Sequence, residues 1–190
     1  MKLKIDEMGR FCIPKEVRET LNLKCGDTRC VHVQQDRIVI NGVRENAYSE
    51  VRIDELNRMP ISIDLVKHKL TLNAGDEFTA EFENGEIVIP LNKKQQEAKI
   101  RYVRRVDELN RVVLPRYIRD NYDMPRGSCV RYDSYKDGKY LMRRNTENGV
   151  ESFKIDDLAL VVVPAAVTDT SFVEFELTDN GVVVGKAYGN

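Results

Sequence analysis

Ile5-Asp6-Glu7-Met8-Gly9-Arg10-Phe11-Cys12-Ile13-Pro14 decides how this chain is read, because the chain says it again. Val106-Asp107-Glu108-Leu109-Asn110-Arg111-Val112-Val113-Leu114-Pro115 keeps the acidic pair, the arginine and the proline at identical spacing. Ile53-Asp54-Glu55-Leu56-Asn57-Arg58 keeps the first half, and Ile155-Asp156-Asp157-Leu158 opens a fourth copy that reaches Pro164 in register. Asp6, Asp54, Asp107 and Asp156 are separated by 48, 53 and 49 residues. A period of that length marks an architecture built from repeated supersecondary units.

Each copy reads as strand, tight turn, strand, short helix, turn and hairpin. Leu3 and Ile5, then Phe11 and Ile13, alternate with polar neighbours as half-buried strands do. Between them Gly9 (Asn57 and Asn110 elsewhere) stands where the turn needs positive φ. Pro14 lacks an amide hydrogen, so a strand ends and a helix begins there, with Val17 and Leu21 on one face. Val31 and Val33 are expected to pair with Ile38 and Ile40 across Gln34–Arg37. Asn84-Gly85, Asp137-Gly138 and Asn180-Gly181 read as two-residue hairpin turns.

The pattern Asp-Glu-x-Gly-Arg-x-x-Ile-Pro-x-Glu-x-Arg-x-x-Leu-x-x-x-x-Gly-Asp resembles the AbrB/MazE/SpoVT DNA-binding family of prokaryotic transcription regulators and antitoxins. The first copy carries it as Asp6, Glu7, Gly9, Arg10, Ile13, Pro14, Glu16, Arg18, Leu21, Gly26 and Asp27. The third matches at Asp107, Glu108, Arg111, Pro115, Arg119 and Gly127, with Asn110 for the Gly and Ser128 for the Asp. The second has Ser62 at the proline position and one residue inserted before Gly75-Asp76. The fourth has Ala159-Leu160 for Gly-Arg and lacks most of the helix after Pro164. The resemblance implies a mainly β fold with short helices, in which two copies interleave hairpins into one swapped-hairpin barrel whose arginines contact DNA.

On that reading residues 1–48, 49–98, 99–149 and 150–190 are four tandem repeats, supplying from one chain what relatives assemble from several. Short connections favour pairing of repeat 1 with 2 and of 3 with 4; pairing 1 with 3 and 2 with 4 is the competing layout. The expected particle is a pseudo-dimeric monomer, with further self-association of complete monomers open. Asn92–Lys99, polar apart from Ala98, reads as the linker between halves. Pro60 marks an edge strand or bulge, and Ser62 is a candidate helix cap.

Composition narrows the class. No apolar run approaches a membrane span and the start lacks a signal-peptide core, so a cytoplasmic protein with no membrane partner is expected. Cys12, Cys25, Cys30 and Cys129 fall in no metal or redox spacing. Cys30 and His32 share a strand face, but two ligands do not make a metal site, and His68 reads as surface or packing. The net charge of −1 conceals an alternation of +2, −4, +6 and −5 along the four repeats. The two basic repeats are the two that keep the full motif, and local field rather than total charge steers a polyanion.

Arg10 and Arg111 follow the first turn, at positions the family uses on DNA, and Arg18 and Arg119 lie on the following helix. Arg104, Arg105 and Arg116 extend the third repeat's patch. A guanidinium fork meets phosphate oxygens or guanine edges bidentately. The alternative is that Arg10 and Arg111 pair with Asp6/Glu7 and Asp107/Glu108, and that the flanking arginines form a solvated face. Arg58, in an acidic repeat, is expected to contribute less than Arg111, and the fourth repeat has no arginine at all. No nucleophile, phosphate cradle or metal cluster accompanies the acidic pairs, so neither catalysis, cofactor nor metal is expected. Two functions remain: a transcription regulator binding double-stranded DNA, and a protein-binding inhibitor or antitoxin-like module gripping a basic partner with acidic repeats 2 and 4. The family's antitoxins neutralise toxins through a tail beyond the barrel, and the few residues after the fourth repeat favour the regulator.

Overall fold

Strand exchange dominates the first half of the chain. The computed structural model describes residues 1–169 and 171–187, and divides into a unit of Met1–Lys99 and a unit of Ile100–Asn190. In unit 1 the elements run β1 (Lys2–Lys4), β2 (Arg10–Cys12), α1 (Lys15–Thr20), β3 (Thr28–Val33), β4 (Arg37–Asn41), β5 (Ser49–Arg52) and β6 (Arg58–Pro60). A π-helical turn (Leu65–Lys69), β7 (Glu77–Thr79), β8 (Glu81–Glu83), β9 (Glu86–Pro90) and α2 (Lys93–Glu97) complete it. The five-stranded sheet has the order β5-β3-β4-β9-β8, beside two-stranded ribbons β1-β7 and β2-β6.

Neither initial strand stays with its own hairpin. β1 pairs with β7 and β5 pairs with β3. The exchange is reciprocal in its backbone bonds. Gly26 N donates to Ile53 O and Ile53 N to Asp27 O, while Gly75 N donates to Ile5 O and Ile5 N to Asp76 O. Likewise Ile13 N donates to Asn57 O, and Ile61 N to Gly9 O. Two stretches of one chain therefore satisfy each other around a pseudo-two-fold axis. Phe11 and Met59 face each other at the ribbon's centre, both buried, with Ile5, Ile13, Ile53 and Ile61 close to fully enclosed. Phe78 meets Phe11 edge-on at 5.5 Å between ring centres.

Unit 2 repeats the scheme with β10 (Arg101–Arg105), β11 (Arg111–Val113), α3 (Arg116–Asn121), β12 (Cys129–Ser134), β13 (Tyr140–Asn145), β14 (Phe153–Lys154), β15 (Leu160–Val162), β16 (Phe172–Thr178) and β17 (Gly181–Lys186). Six strands in the order β10-β16-β17-β13-β12-β14 form one sheet, and β11 pairs with β15 as a ribbon. Leu114 N donates to Ala159 O and Val163 N to Asn110 O, the same exchange as in unit 1. The whole is mainly β with short helices, including a curled, open half-barrel sheet.

Several local expectations are met. Val31 lies opposite Ile40 and Val33 opposite Ile38. Gly9, Asn57 and Asn110 all carry positive φ, and a Cβ on Gly9 would come within 2.7 Å of the Ile61 carbonyl. Asn84 and Gly85 both have φ > 0 in a two-residue turn closing β8 on β9. Pro60 ends a strand paired on one side only. After Pro164 a single 3-10 turn (Ala165–Val167) stands where a longer helix lies in the other segments.

Others are corrected. Ser62 does not cap its helix by a side-chain bond; it gives its carbonyl to Val66 N, and Asp64 precedes the π-helical turn. That turn is where the inserted residue goes: Leu70 N reaches back to Leu65 O, widening the helix so that Gly75-Asp76 keeps its place opposite Ile5. The Asp137-Gly138 turn is longer than two residues, because Tyr135 N bonds Lys139 O around a three-residue 3-10 loop. Asn180-Gly181 is displaced by one: Thr178 pairs with Gly181, so Asp179 and Asn180 form the turn. Asn92–Lys99 is not a bare linker. It contains α2, with a capping box between Asn92 and Gln95. The buried Lys69 ammonium clamps that helix by donating to the Gln96 and Ala98 carbonyls at 3.0 and 2.8 Å, and its burial pulls its pKa down.

Candidate nucleic-acid interface

The acidic-pair motif folds into the same turn four times. Asp6 Oδ1 accepts from the amides of Met8 and Arg10, Asp54 Oδ1 from Leu56 and Arg58, Asp107 Oδ1 from Leu109 and Arg111, and Asp156 Oδ1 from Leu158 and Leu160. A left-handed residue follows each time: Gly9, Asn57, Asn110 and Ala159. One carboxylate thus satisfies two amides that the tight turn leaves unpaired, which explains why aspartate opens every copy.

The second carboxylate oxygen selects the arginine. Arg10 Nε meets Asp6 Oδ2 at 2.8 Å, Arg58 Nε meets Asp54 Oδ2 at 2.8 Å, and Arg111 Nε meets Asp107 Oδ2 at 2.9 Å. Burial opposes the charge of Asp6, yet the bonds from Arg10 and Met8 outweigh it and hold the carboxyl below its ordinary range. For Asp54 the Arg58 amide is the largest cause of the same shift, and for Asp107 the Arg111 amide. The ion-pair alternative is therefore present in the structure, and in all three turns it engages Nε. Arg10 and Arg58 have no side-chain partner other than these aspartates among the described residues. Arg111 also commits Nη2 to Asp107, at 2.9 Å.

Register decides which arginines stand together. β2 and β6 pair as Arg10 opposite Pro60, Phe11 opposite Met59 and Cys12 opposite Arg58. Phe11 and Met59 point into the core, so side-chain alternation sends Arg10, Cys12, Arg58 and Pro60 to the outer face. Arg58, given little weight on sequence, thus shares a surface with Arg10. Arg52 lies beside it, donating to the Gly26 carbonyl at 3.1 Å along a shallow groove lined by Cys25, Asp54 and Arg58. In unit 2, β11 and β15 pair as Arg111 opposite Val162 and Val113 opposite Leu160, so Leu160 occupies the place of Arg58.

The remaining arginines are spread over separate elements. Arg18 on α1 and Arg119 on α3 make the same bond, Nε to the carbonyls of Ile13 and Leu114 at 3.2 Å, and so brace the strand-to-helix corner. Burial, and then the Arg126 charge, push Arg119 down from the ordinary guanidinium range. Arg116 pairs with Asp120 one turn along α3. Arg104 stacks 5.1 Å from the Tyr102 ring centre and donates to the Val103 carbonyl, whereas Arg105 is exposed. Cys30 is buried, and His32 Nε2 lies 3.1 Å from Asn41 Oδ1 and 2.9 Å from the Val43 carbonyl, a packing role. Among the described residues no three His, Cys, Asp or Glu side chains gather as a metal site, none of the four cysteines is in a disulfide, and no helix is long and apolar enough to cross a membrane.

No protein-family model, no curated protein and no solved structure matches the chain.

Proposed function

We propose that the chain is a cytoplasmic, non-enzymatic DNA-binding transcription regulator of the AbrB/MazE/SpoVT swapped-hairpin type, built from four tandem motif copies and repressing genes by occupying promoter DNA. One observation carries the reading: Arg10 and Arg58 project from the same outer face of the β2–β6 ribbon, each with no ion-pair partner beyond the aspartate of its own turn among the described residues. Two guanidinium forks related by a pseudo-two-fold axis suit duplex DNA, whose two strands present phosphates and base edges with the same symmetry. The reading moves weight from Arg111 to Arg58, because pairing across the ribbon outranks the net charge of a sequence segment. Arg18, Arg104, Arg116 and Arg119 act as supporting phosphate contacts or corner braces.

A fluorescence-anisotropy titration of random duplex across a salt series tests it. Binding that weakens linearly in log–log form with added salt is expected. Absence of salt-dependent affinity for any duplex would sink the DNA reading. It would promote a protein-binding, antitoxin-like module, for which Glu81 and Glu83 on the exposed edge strand β8 offer an acidic docking edge.

A further inference from the structure

Lys69 is buried where its counterparts are not. Counted back from the left-handed residue that ends each helical segment (Asn22, Thr71 and Asp123), the second residue is Thr20, Lys69 and Asn121. Thr20 and Asn121 are exposed, while Lys69 is 6% exposed. What differs is α2, whose last carbonyls receive the Lys69 ammonium, Gln96 O at 3.0 Å and Ala98 O at 2.8 Å. Lysine often seats itself on the unpaired carbonyls at a helix end, but this one belongs to another element, the π-helical turn. No carboxylate pairs with it among the described residues. Gln95 adds a second tie between the same two elements, Nε2 to the Leu70 carbonyl at 2.6 Å.

A helix of five residues is too short to hold itself in water, and α2 buries no side chain. Its capping box closes on itself, Asn92 with Gln95. α2 is therefore held to unit 1 by hydrogen bonds more than by apolar contact, and polar contacts that water can replace contribute little net. Taking an ammonium out of water opposes even these, and burial is what lowers the Lys69 pKa. Little is lost beneath α2 when it leaves, because Lys69 then stands in water as Thr20 and Asn121 do. The strand before it is anchored separately, with Leu91 buried and its amide donating to the Asp36 carbonyl. Such a segment opens locally, well below the free energy of global unfolding. α2 also carries the chain to Ile100, where unit 2 begins. The seven residues Asn92 to Ala98 reach about 23–25 Å when extended, against about 10 Å at helical rise.

We propose that residues 92–98 form a detachable strap on unit 1, latched by Lys69, whose release frees those residues into the connection to unit 2. Strap opening needs neither DNA nor a partner, so its test is separate from that of the DNA reading. Hydrogen exchange of the full chain, followed amide by amide by NMR, supplies it. The Gln96 and Ala98 amides donate to the Asn92 and Lys94 carbonyls. They should exchange at least about a hundredfold faster than the paired amides of β4 and β9, at a rate that low denaturant leaves unchanged. Lys69→Met keeps the stem and removes the ammonium, so it should speed the strap amides at least about tenfold further, with β4 and β9 unaffected. Trypsin should then cut after the exposed Lys93 and Lys94 faster by a similar factor. Lys67→Met, at an exposed position of the same turn, should change neither readout. Strap amides of the wild-type chain that exchange only together with β4 and β9 overturn the proposal, and that measurement stands even where the variant fails to fold. So does a folded Lys69→Met chain whose strap amides keep the wild-type rate.

Discussion

Cys12 lies directly across the β2–β6 ribbon from Arg58, on the outer face it shares with Arg10. Its thiol is exposed, so it reports on whatever covers those arginines. A saturating duplex should slow alkylation of Cys12 several-fold while leaving Cys129, in unit 2, at its free rate. Peptide mapping after brief maleimide treatment reads both sites in one sample. Equal Cys12 rates with and without bound duplex would place DNA elsewhere.

Arg10→Ala and Arg58→Ala should weaken DNA binding to similar extents. Each should flatten the slope of log affinity against log salt by roughly 0.9 if the lost contact is a phosphate, or cost about 1–3 kcal/mol at one base position if it is a base edge. Arg111→Ala should have the smaller effect, because its ribbon carries Leu160 where a second arginine would stand. Anisotropy at three salt concentrations separates these outcomes, and a dominant Arg111 effect would reverse the assignment.

Much of this architecture was written in the repeat itself. The left-handed turn position, the Val31–Ile40 hairpin and the strand-ending Pro60 follow from residue types acting locally, and local rules are what a sequence displays. The face shared by Arg10 and Arg58 was not legible, because it depends on the register between strands separated by α1 and a hairpin. Charge summed by segment set Arg58 aside as a member of an acidic stretch, although the acidic side chains of that stretch include Glu81 and Glu83 on another strand. The π-helical turn was visible only as a one-residue mismatch in spacing. Its widened geometry is a tertiary compromise that keeps Gly75 opposite Ile5.

Acid should loosen the turns in a defined order of sign. The carboxyls of Asp6, Asp54 and Asp107 sit below their ordinary value of 3.8 when folded. Their contribution to stability is therefore complete above that value and drains away as pH falls through the lowered folded pKa values. Melting temperature measured downward from neutral pH should hold level, then drop below about pH 4. Asp107→Asn should reduce the size of that drop, since the amide keeps an acceptor oxygen but has no charge to lose. An unchanged acid limb in this variant would show that the turns do not drive it.

Thr71 is a β-branched residue held at φ 53°, where the helices of the other segments end in Asn22 and Asp123. The left-handed region costs a β-carbon residue about 1–2 kcal/mol, and asparagine tolerates it best after glycine. Thr71→Asn should therefore stabilise unit 1 by about 1 kcal/mol, raising its melting temperature by roughly 4–8 °C. Calorimetry of the full chain resolves the change, and no gain would mean that Thr71 is unstrained.

The pairing of β1 with β7 also sets a timetable for synthesis. Lys2 finds its partner only when Thr79 has been made, and at roughly 5–20 residues per second the ribosome leaves β1 alone for on the order of 4–15 s. Throughout that interval Leu3, buried at the end, lacks the Phe78 that it will lie opposite. A slow codon before Glu77 would prolong that exposure while one after Pro90 would not.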